Sequence, residues 1–237
     1  MAKKSRLYRT FYGGKGASGA YQTIINCLRP HDVYMELYLG DGTIFTHKKP
    51  AITNILNERD PVIYGDWITA GIDNIDLFCG DGLELLKSWV FDRAKQYCIY
   101  LDPPYPILSR REGKPRYRYE MSDEQHIELL EFVNKLASKR NVDIVISTYQ
   151  NEIYEEYLKN WHLVKFNSQT RQYTAVEYLY MNYDPSGGLL HEYTYLGRDA
   201  TDRQRIKRKI EREVTRLQKL PAAERNAIIT ALKSLAS

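Results

Sequence analysis

The chain has 237 residues, 43% hydrophobic and 27% charged, which is typical of a globular protein with one large domain or one domain plus an appendage. No apolar run approaches the roughly 20 residues that span a bilayer, and the N-terminal MAKKSRLYRT lacks the apolar core of a signal peptide. The sequence therefore predicts a cytoplasmic protein without a membrane segment. The net charge of +4 is uneven, because residues 198–220 carry nine Lys or Arg against four Asp or Glu.

Short β-rich apolar runs alternate with helix-like stretches along most of the chain. The runs are 32–38, 51–57, 75–80, 97–102, 142–149, 162–168 and 175–183. The helix-like stretches are 17–28, 60–71, 82–94, 122–139 and 150–160. This alternation predicts an α/β domain with a largely parallel sheet. Only QTRQYT separates the last two runs, too little for a crossover helix, so we expect five parallel strands and a terminal antiparallel hairpin.

The helix predicted at 122–139 has the clearest local signals. Ser122 suits the N-cap and two acids follow it in the first turn. His126 lies on this helix without a nucleophile or metal partner nearby in sequence, and we expect it to be a surface or capping residue.

The end of the chain, 198–237, is predicted to be a basic helical extension of a domain at 1–197. Two helices are expected there, with a break before Pro221. Apolar residues recur at helical spacing at Ile206, Ile210, Val214 and Leu217. The basic side is either the solvated face of a helix packed on the domain or an arm that contacts phosphates.

The three cysteines predict no metal site. Cys27, Cys79 and Cys98 are widely spaced and form no CxxC pair. A structural zinc site needs clustered Cys or His ligands.

Acids or a glycine pair follow four consecutive predicted strands. They are Glu36 at the end of the first strand with Gly40 and Gly42 after it, Glu58 and Asp60 at the end of the second, Asp81 at the end of the third and Asp102 at the end of the fourth. Ligands of open α/β sheets bind outside the carboxyl ends of the strands, so we expect these residues to surround one site. The glycines would let the backbone approach a ligand closely, and the acids after the second strand would meet ribose hydroxyls.

The stretch IYLDPPYP, residues 99–106, ends its strand in an acid, two prolines and an aromatic ring. Prolines restrict the backbone, so this exit would present Asp102 and Tyr105 rigidly. An acid beside an aromatic face suits a flat ligand with an N–H donor, such as a nucleobase. An ordinary strand-ending turn also uses Asp and Pro, and only the ordered set of acids along the chain favours the ligand site.

These motifs, in this order, resemble those of Dam-type N6-adenine DNA methyltransferases, especially compact phage and prophage enzymes. The resemblance covers about 10–183, from FYGGKG through YMELYLGDG, LNERD and LDPPYP to AVEYLYMNY. It implies a Rossmann-like fold and S-adenosylmethionine as cofactor. The residues it assigns to cofactor binding are Lys15, Glu36, Tyr38, Gly40, Gly42, Glu58 and Asp81. The chain departs from the family pattern at Leu37, Tyr38 and Glu58, where Pro, Phe and Asp are usual.

The resemblance also implies a mechanism at Asp102, Pro103, Pro104 and Tyr105. The target adenine would be flipped out of double-stranded DNA into a pocket. Tyr105 would stack on the base, and the carboxylate of Asp102 with the carbonyl of Pro103 would accept hydrogen bonds from the N6 amino group.

Residues 107–120 are the predicted target-recognition loop. The basic residues there, expected to contact DNA, are Arg110, Arg111, Lys114, Arg116 and Arg118, interleaved with two tyrosines. Two alternatives stay open at this stage. The acceptor is RNA adenine instead of DNA adenine, or the chain is an inactive module that binds nucleic acid.

Overall fold

The computed structural model describes residues 12–16, 19–169 and 174–235. The first two residues of the predicted helix 17–28 and residues 170–173 of the hairpin lie outside the described residues. The chain divides into two compact units, the first ending at Thr194 and the second beginning at Tyr195.

The first unit is built on one seven-stranded sheet. Its strands are β1 (Val33–Glu36), β2 (Thr53–Glu58), β3 (Asp76–Cys79), β4 (Tyr97–Leu101), β5 (Val142–Tyr149), β6 (His162–Gln169) and β7 (Thr174–Met181). The spatial order is β3-β2-β1-β4-β5-β7-β6, in which β1 to β5 are parallel and β7 is antiparallel to both of its neighbours. The predicted parallel sheet with its terminal hairpin is confirmed. The strand order reverses at β1, so a crevice opens between the ends of β1 and β4.

Helices connect the strands of the first unit. They are α1 (Ala20–Ile25), α2 (Thr43–His47), α3 (Pro61–Thr69), α4 (Gly82–Ser88), α5 (Asp123–Leu136) and α6 (Glu152–Tyr157). The short helix α2 was not predicted. The helix predicted at 82–94 ends earlier because the backbone becomes extended at Trp89. At the start of α5, Ser122 and Gln125 form a reciprocal capping box.

His126 is not a surface residue, and that expectation is wrong. Its side chain is fully buried, and its Nδ1 lies 3.0 Å from the hydroxyl of Tyr154. It lies on the same side of α5 as the buried Leu129, Leu130 and Val133, at helical spacing. Burial lowers the pKa of His126 to about 4, so the imidazole is neutral at physiological pH.

The core lies on both faces of the central strands. Every residue of β1 and β4 is buried, as expected for parallel strands covered by helices on both sides. Tyrosines account for several of the largest buried side chains, and their hydroxyls find partners. The Tyr100 hydroxyl lies 2.9 Å from Ser147 Oγ, and the Tyr34 hydroxyl donates to Glu36 at 2.7 Å.

The second unit contains two helices, α7 (Ala200–Gln218) and α8 (Ala222–Leu235), on either side of Pro221. The predicted pair of helices and the break between them are confirmed. One side of α7 carries Arg205, Arg208, Arg212, Arg216 and Lys219 at intervals of three or four residues.

Candidate active site

The crevice at the ends of β1, β2 and β4 holds a pocket. Its lining comes from five segments of the first unit, which are residues 12–14, the turn 38–41, the end of β2 with the start of α3, the stretch around Asp102, and 117–121. The topological switch point of an open sheet is where such folds bind their ligands. This pocket is therefore the candidate active site.

The turn after β1 depends on its two glycines. Gly40 and Gly42 both have positive φ, at 50° and 57°, which side chains rarely adopt. A Cβ on Gly42 would lie 2.3 Å from the ring of Trp67, and the indole N–H of Trp67 donates to the Gly40 carbonyl at 3.0 Å. The turn is thus held from behind by α3, while Tyr38, Gly40 and Asp41 face the pocket.

Glu58 fixes that turn from the next strand and also lines the pocket. One carboxylate oxygen accepts the N–H of Gly40 and the other accepts the N–H of Asp60, each at 2.8 Å. Burial raises the pKa of Glu58, and these backbone N–H groups oppose the shift. Asp60 caps α3 by accepting the N–H of Val62. Glu58 and Asp60 therefore lie next to each other in the pocket lining, where ribose hydroxyls are expected to bind.

Two acids assigned to the cofactor lie elsewhere. Glu36 is buried behind the turn, where its carboxyl accepts the Tyr34 hydroxyl and the Phe45 N–H. Burial raises the pKa of Glu36 to about 8, so the group is mainly protonated at neutral pH. Asp81 caps α4 and lies 3.3 Å from Arg59 Nη1. In the described part of the chain, neither acid lines the pocket, although Arg59 does.

Asp102 lies directly after β4, and its carboxylate pairs with Lys15. The ammonium is 2.8 Å from Oδ1 and 2.6 Å from Oδ2, and it also donates to the Gly13 carbonyl at 3.1 Å. Lys15 is only 4% exposed. Burial alone lowers the pKa of Lys15, but the carboxylates of Asp102 and Glu177 outweigh it and raise that pKa well above its usual value. Lys15 is therefore charged and paired.

Glu177, in β7, belongs to the same cluster and was missed by sequence reasoning. It is 4% exposed, and its Oε2 lies 3.7 Å from Lys15 Nζ. The sequence signal is a single acid within the otherwise apolar strand AVEYLYM. Burial raises the pKa of Asp102 to about 6, with Lys15 lowering it and Glu177 raising it further.

Tyr105 lies behind the pocket lining. Its hydroxyl donates to Glu177 Oε2 at 3.2 Å, its ring packs edge-on against Tyr149 at 4.6 Å, and the residue is 9% exposed. Pro103 is buried, while Pro104 reaches the pocket. The aromatic side chains that do line the pocket are Tyr12, Tyr38, Tyr117 and Tyr119. Stacking of a base on Tyr105 stays a prediction.

Loop 107–120 is folded around Arg110. This guanidinium is 7% exposed and donates to the Tyr105 carbonyl at 2.9 Å and to Glu120 at 2.8 Å. Glu120 also accepts the backbone N–H groups of Arg116 and Tyr117. Burial opposes the shift, but Arg110 and these N–H groups lower the pKa of Glu120 to about 2. Arg110 therefore organises the loop, a placement that does not fit the expected DNA contact.

The other basic residues of the loop lie outside. Arg111 and Lys114 are exposed. Arg116 pairs with Glu112, and Arg118, with 61% of its side chain exposed, lies 3.5 Å from Asp60 at the pocket rim. These four remain candidates for contacting nucleic acid.

Two absences hold for residues 12–16, 19–169 and 174–235, the part of the chain that the structure describes. Within them, no group of three or more His, Cys, Asp or Glu could hold a metal ion. None of the helices in these ranges is long and apolar enough to cross a membrane.

The sheet itself decides the fold class. Its seven strands run in the order given above, with β7 alone reversed. The chain has a Rossmann-like methyltransferase fold. A scan of family models and a search of curated proteins each find no match.

Solved structures of methyltransferases are similar to this chain at a low level. The N-methyltransferase NodS from Bradyrhizobium japonicum is 10% identical, covering 69% of this chain and 94% of NodS, with a TM-score of 0.47. A methyltransferase candidate from Streptococcus mutans in complex with SAH is 9% identical over 68% of this chain and 94% of that one, with a TM-score of 0.46. The 23S rRNA methyltransferase ErmE is 15% identical over 74% and 70%, with a TM-score of 0.42.

Proposed function

We propose that this protein is an S-adenosylmethionine-dependent methyltransferase that modifies the N6 amino group of adenine in DNA. The observation that carries the proposal is the half-buried Asp102 carboxylate, 18% exposed at the side chain, which the Asp-Pro-Pro-Tyr segment places in the same crevice as the glycine turn after β1. A hydrogen-bond acceptor for an amino group and a turn that suits a nucleoside cofactor thus share one pocket.

The lining of the crevice fits S-adenosylmethionine. Glu58 and Asp60 offer acceptors for ribose hydroxyls, and Ile63 and Tyr38 offer apolar surface for an adenine ring. The acids of the pocket outnumber Arg59 and Arg118, which suits a cationic sulfonium. The cofactor would supply an electrophilic methyl group on that sulfonium.

The protein's own part in the reaction is to hold the acceptor amine. The Asp102 carboxylate and the Pro103 carbonyl would accept the two N6–H groups and so turn the nitrogen lone pair out of conjugation with the ring. The nitrogen would take the methyl group from the sulfonium, whose sulfur would keep the bonding electron pair, and the methylated amine would then lose a proton to water. Because the pKa of Asp102 is about 6, the group is mainly ionised at pH 7 and can accept these hydrogen bonds. Positioning and electrostatics supply the rate.

Access to DNA would come from the side formed by the loop 107–120. Tyr12 and Tyr117 both line the pocket, and their rings are candidates for stacking with a base outside the duplex stack. Arg118 and Lys114 are exposed on the same loop and could neutralise phosphates.

The test is transfer of labelled methyl from S-adenosylmethionine to unmethylated duplex DNA, with matched RNA as a second acceptor and Asp102→Asn as the control enzyme. Nucleoside analysis of the product identifies the modified base. We expect N6-methyladenine in DNA with the wild-type protein and about 10²-fold to 10³-fold slower formation with the variant.

Other outcomes separate the alternatives. Label in RNA but not in DNA would show that the acceptor is RNA, and the proposed methyl-transfer chemistry would still apply. Cofactor titration covers the remaining case, since absence of S-adenosylmethionine binding with retained DNA affinity would identify an inactive binding module.

A further inference from the structure

We propose that Glu177 is a positioning residue for the reaction at Asp102. In this proposal, which rests on the proposed function, Glu177 shares the charge of Lys15 and so keeps the Asp102 carboxylate available to the amino group of the base. Glu177 lies on β7, a strand that supplies none of the pocket lining in the described residues.

The contacts of Lys15 show how its positive charge is shared between the carboxylates of Asp102 and Glu177. The ammonium has three hydrogens, and its close acceptors are the Asp102 carboxylate and the Gly13 carbonyl. Glu177 is an ion-pair neighbour at 3.7 Å, beyond hydrogen-bond distance. Its attraction therefore pulls on the cation without replacing the bond to Asp102.

Glu177 also holds the segment that carries Asp102. Tyr105, three residues after Asp102, donates its hydroxyl to Glu177 at 3.2 Å. Lys15 Nζ lies 5.1 Å from the centre of the same tyrosine ring. In the sheet, Glu177 is the register partner of Tyr149, whose ring packs against Tyr105. One carboxylate on β7 thus contacts both the ammonium of Lys15 and the hydroxyl of Tyr105, the two groups that flank Asp102.

The charges in this cluster explain why an acid is useful there. With both carboxylates ionised, Asp102, Glu177 and Lys15 would together carry one net negative charge, and the side chains of Lys15 and Glu177 are 5% exposed. The attacking nitrogen becomes cationic as the N–C bond forms, so a net negative surrounding favours that charge. A neutral residue at 177 would leave Lys15 to Asp102 alone, and the carboxylate lone pairs would be committed to the ammonium.

The same arrangement sets the ionisation of Asp102. Burial is the main cause that raises its pKa to about 6, Lys15 lowers it, and the charge of Glu177 raises it. The other titratable groups in electrostatic contact with Asp102 are Glu36, Tyr100, Tyr105, Tyr117 and Tyr154. Removing the charge at 177 should therefore lower the pKa of Asp102.

The experiment compares Glu177→Gln with Glu177→Asp, and with Glu156→Gln on the exposed side of α6 as the matched control. The Asp102 carboxyl is titrated directly by carbon-detected NMR on aspartate-labelled protein, with its signal assigned from Asp102→Asn. Methyl transfer is measured on the same samples as a function of pH. Thermal unfolding checks that each variant is folded.

We expect the wild-type Asp102 midpoint near 6. In Glu177→Gln that midpoint should fall by about one pH unit, and the acidic limb of the rate profile should move with it. The value of kcat should fall about 10-fold to 100-fold, because the acceptor is mispositioned. Glu177→Asp keeps the charge and should keep the midpoint, and Glu156→Gln should change neither quantity.

An unchanged Asp102 midpoint and rate profile in folded Glu177→Gln would overturn the role of Glu177. If Glu177→Gln does not fold, a lowered midpoint in Glu177→Asp would overturn it equally, since that variant retains the charge. Failure of the proposed function looks different. In that case the wild-type protein transfers no methyl to DNA or RNA, while the NMR titrations still report whether Glu177 controls Asp102.

Discussion

Arg110 and Arg118 lie on the same loop, yet the structure places them in opposite surroundings. Arg110 points inward, where Glu120 and the Tyr105 carbonyl take its N–H groups. Arg118 is 61% exposed at the side chain, lies 3.5 Å from Asp60, and has its guanidinium 5.7 Å from the centre of the Tyr119 ring. The loop thus has an inner side, where Arg110 pairs with Glu120, and an outer side, where Arg118 is exposed to solvent.

The two sides should respond differently to mutation. Breaking a buried ion pair costs about 3–5 kcal/mol, because the partner is left charged and unsolvated. An exposed pair contributes about 0–1 kcal/mol and is screened by salt. The residue type is the same in both places, so burial and partners decide the effect.

The largest effect is expected inside, at Asp102. Asp102→Asn keeps the shape of the side chain but replaces one acceptor oxygen with a donor, which repels an amino group. We expect kcat to fall about 10²-fold to 10³-fold, the loss seen when one key polar group of an active site is removed. Steady-state methyl transfer at saturating S-adenosylmethionine measures this.

Asp73→Asn, an exposed substitution in the loop before β3, is the matched control for Asp102→Asn. It should match the wild type in both methyl-transfer rate and cofactor affinity. Turnover by Asp102→Asn within about twofold of wild type would remove Asp102 from the mechanism, since it is far below the expected loss.

Arg110→Ala should have the next largest effect, which is a loss of conformational order in the loop 107–120. The variant leaves Glu120 without its guanidinium partner, at a cost of about 3 kcal/mol. The amide groups of Arg116 and Tyr117, which donate to Glu120, should then exchange hydrogen faster. Arg111→Ala, an exposed neighbour, is the matched control and should leave their exchange unchanged.

The pH dependence of this protection follows from Glu120. Its pKa in the folded state is about 2, below the usual 4.5, so the carboxylate stabilises the loop above pH 4.5. That contribution should be lost as the pH falls from 4.5 through about 2, and Arg110→Ala should lack most of this dependence. Equal protection in wild type and variant at pH 7 would show that the inner side is not held by this pair.

Sequence patterns could predict the placement of some of these residues but not of others. Asp102 and Glu58 follow buried strands at the switch-point edge, and local patterns place both in the pocket. The inward turn of Arg110 depends on Glu120, ten residues later, and no local pattern reveals it. Glu177 meets Lys15 across the fold, 162 residues apart in the chain, so only the tertiary structure brings them together.

The family resemblance assigned Glu36 and Asp81 to the cofactor, and the structure gives both a local partner instead. Glu36 accepts the N–H of Phe45 in α2, a helix that was not predicted. Asp81 caps α4. Acids near helix starts compete between capping the helix and facing a ligand, and sequence spacing alone does not decide between the two.

The smallest effect is expected outside, at Arg118. If its guanidinium contacts a phosphate, Arg118→Ala should weaken binding to all DNA sequences alike and lower the salt dependence of log Kd by about one unit. The fold and the exchange of the loop amides should not change, because the side chain is exposed. Binding isotherms at several salt concentrations, recorded without S-adenosylmethionine so that no methyl transfer occurs, measure the slope. Lys114→Ala tests whether the effect is shared along the outer side, and the double variant should then lower the slope by about two units. An unchanged slope in both single variants would leave the outer side as a solvated surface, and DNA would have to approach the pocket from elsewhere.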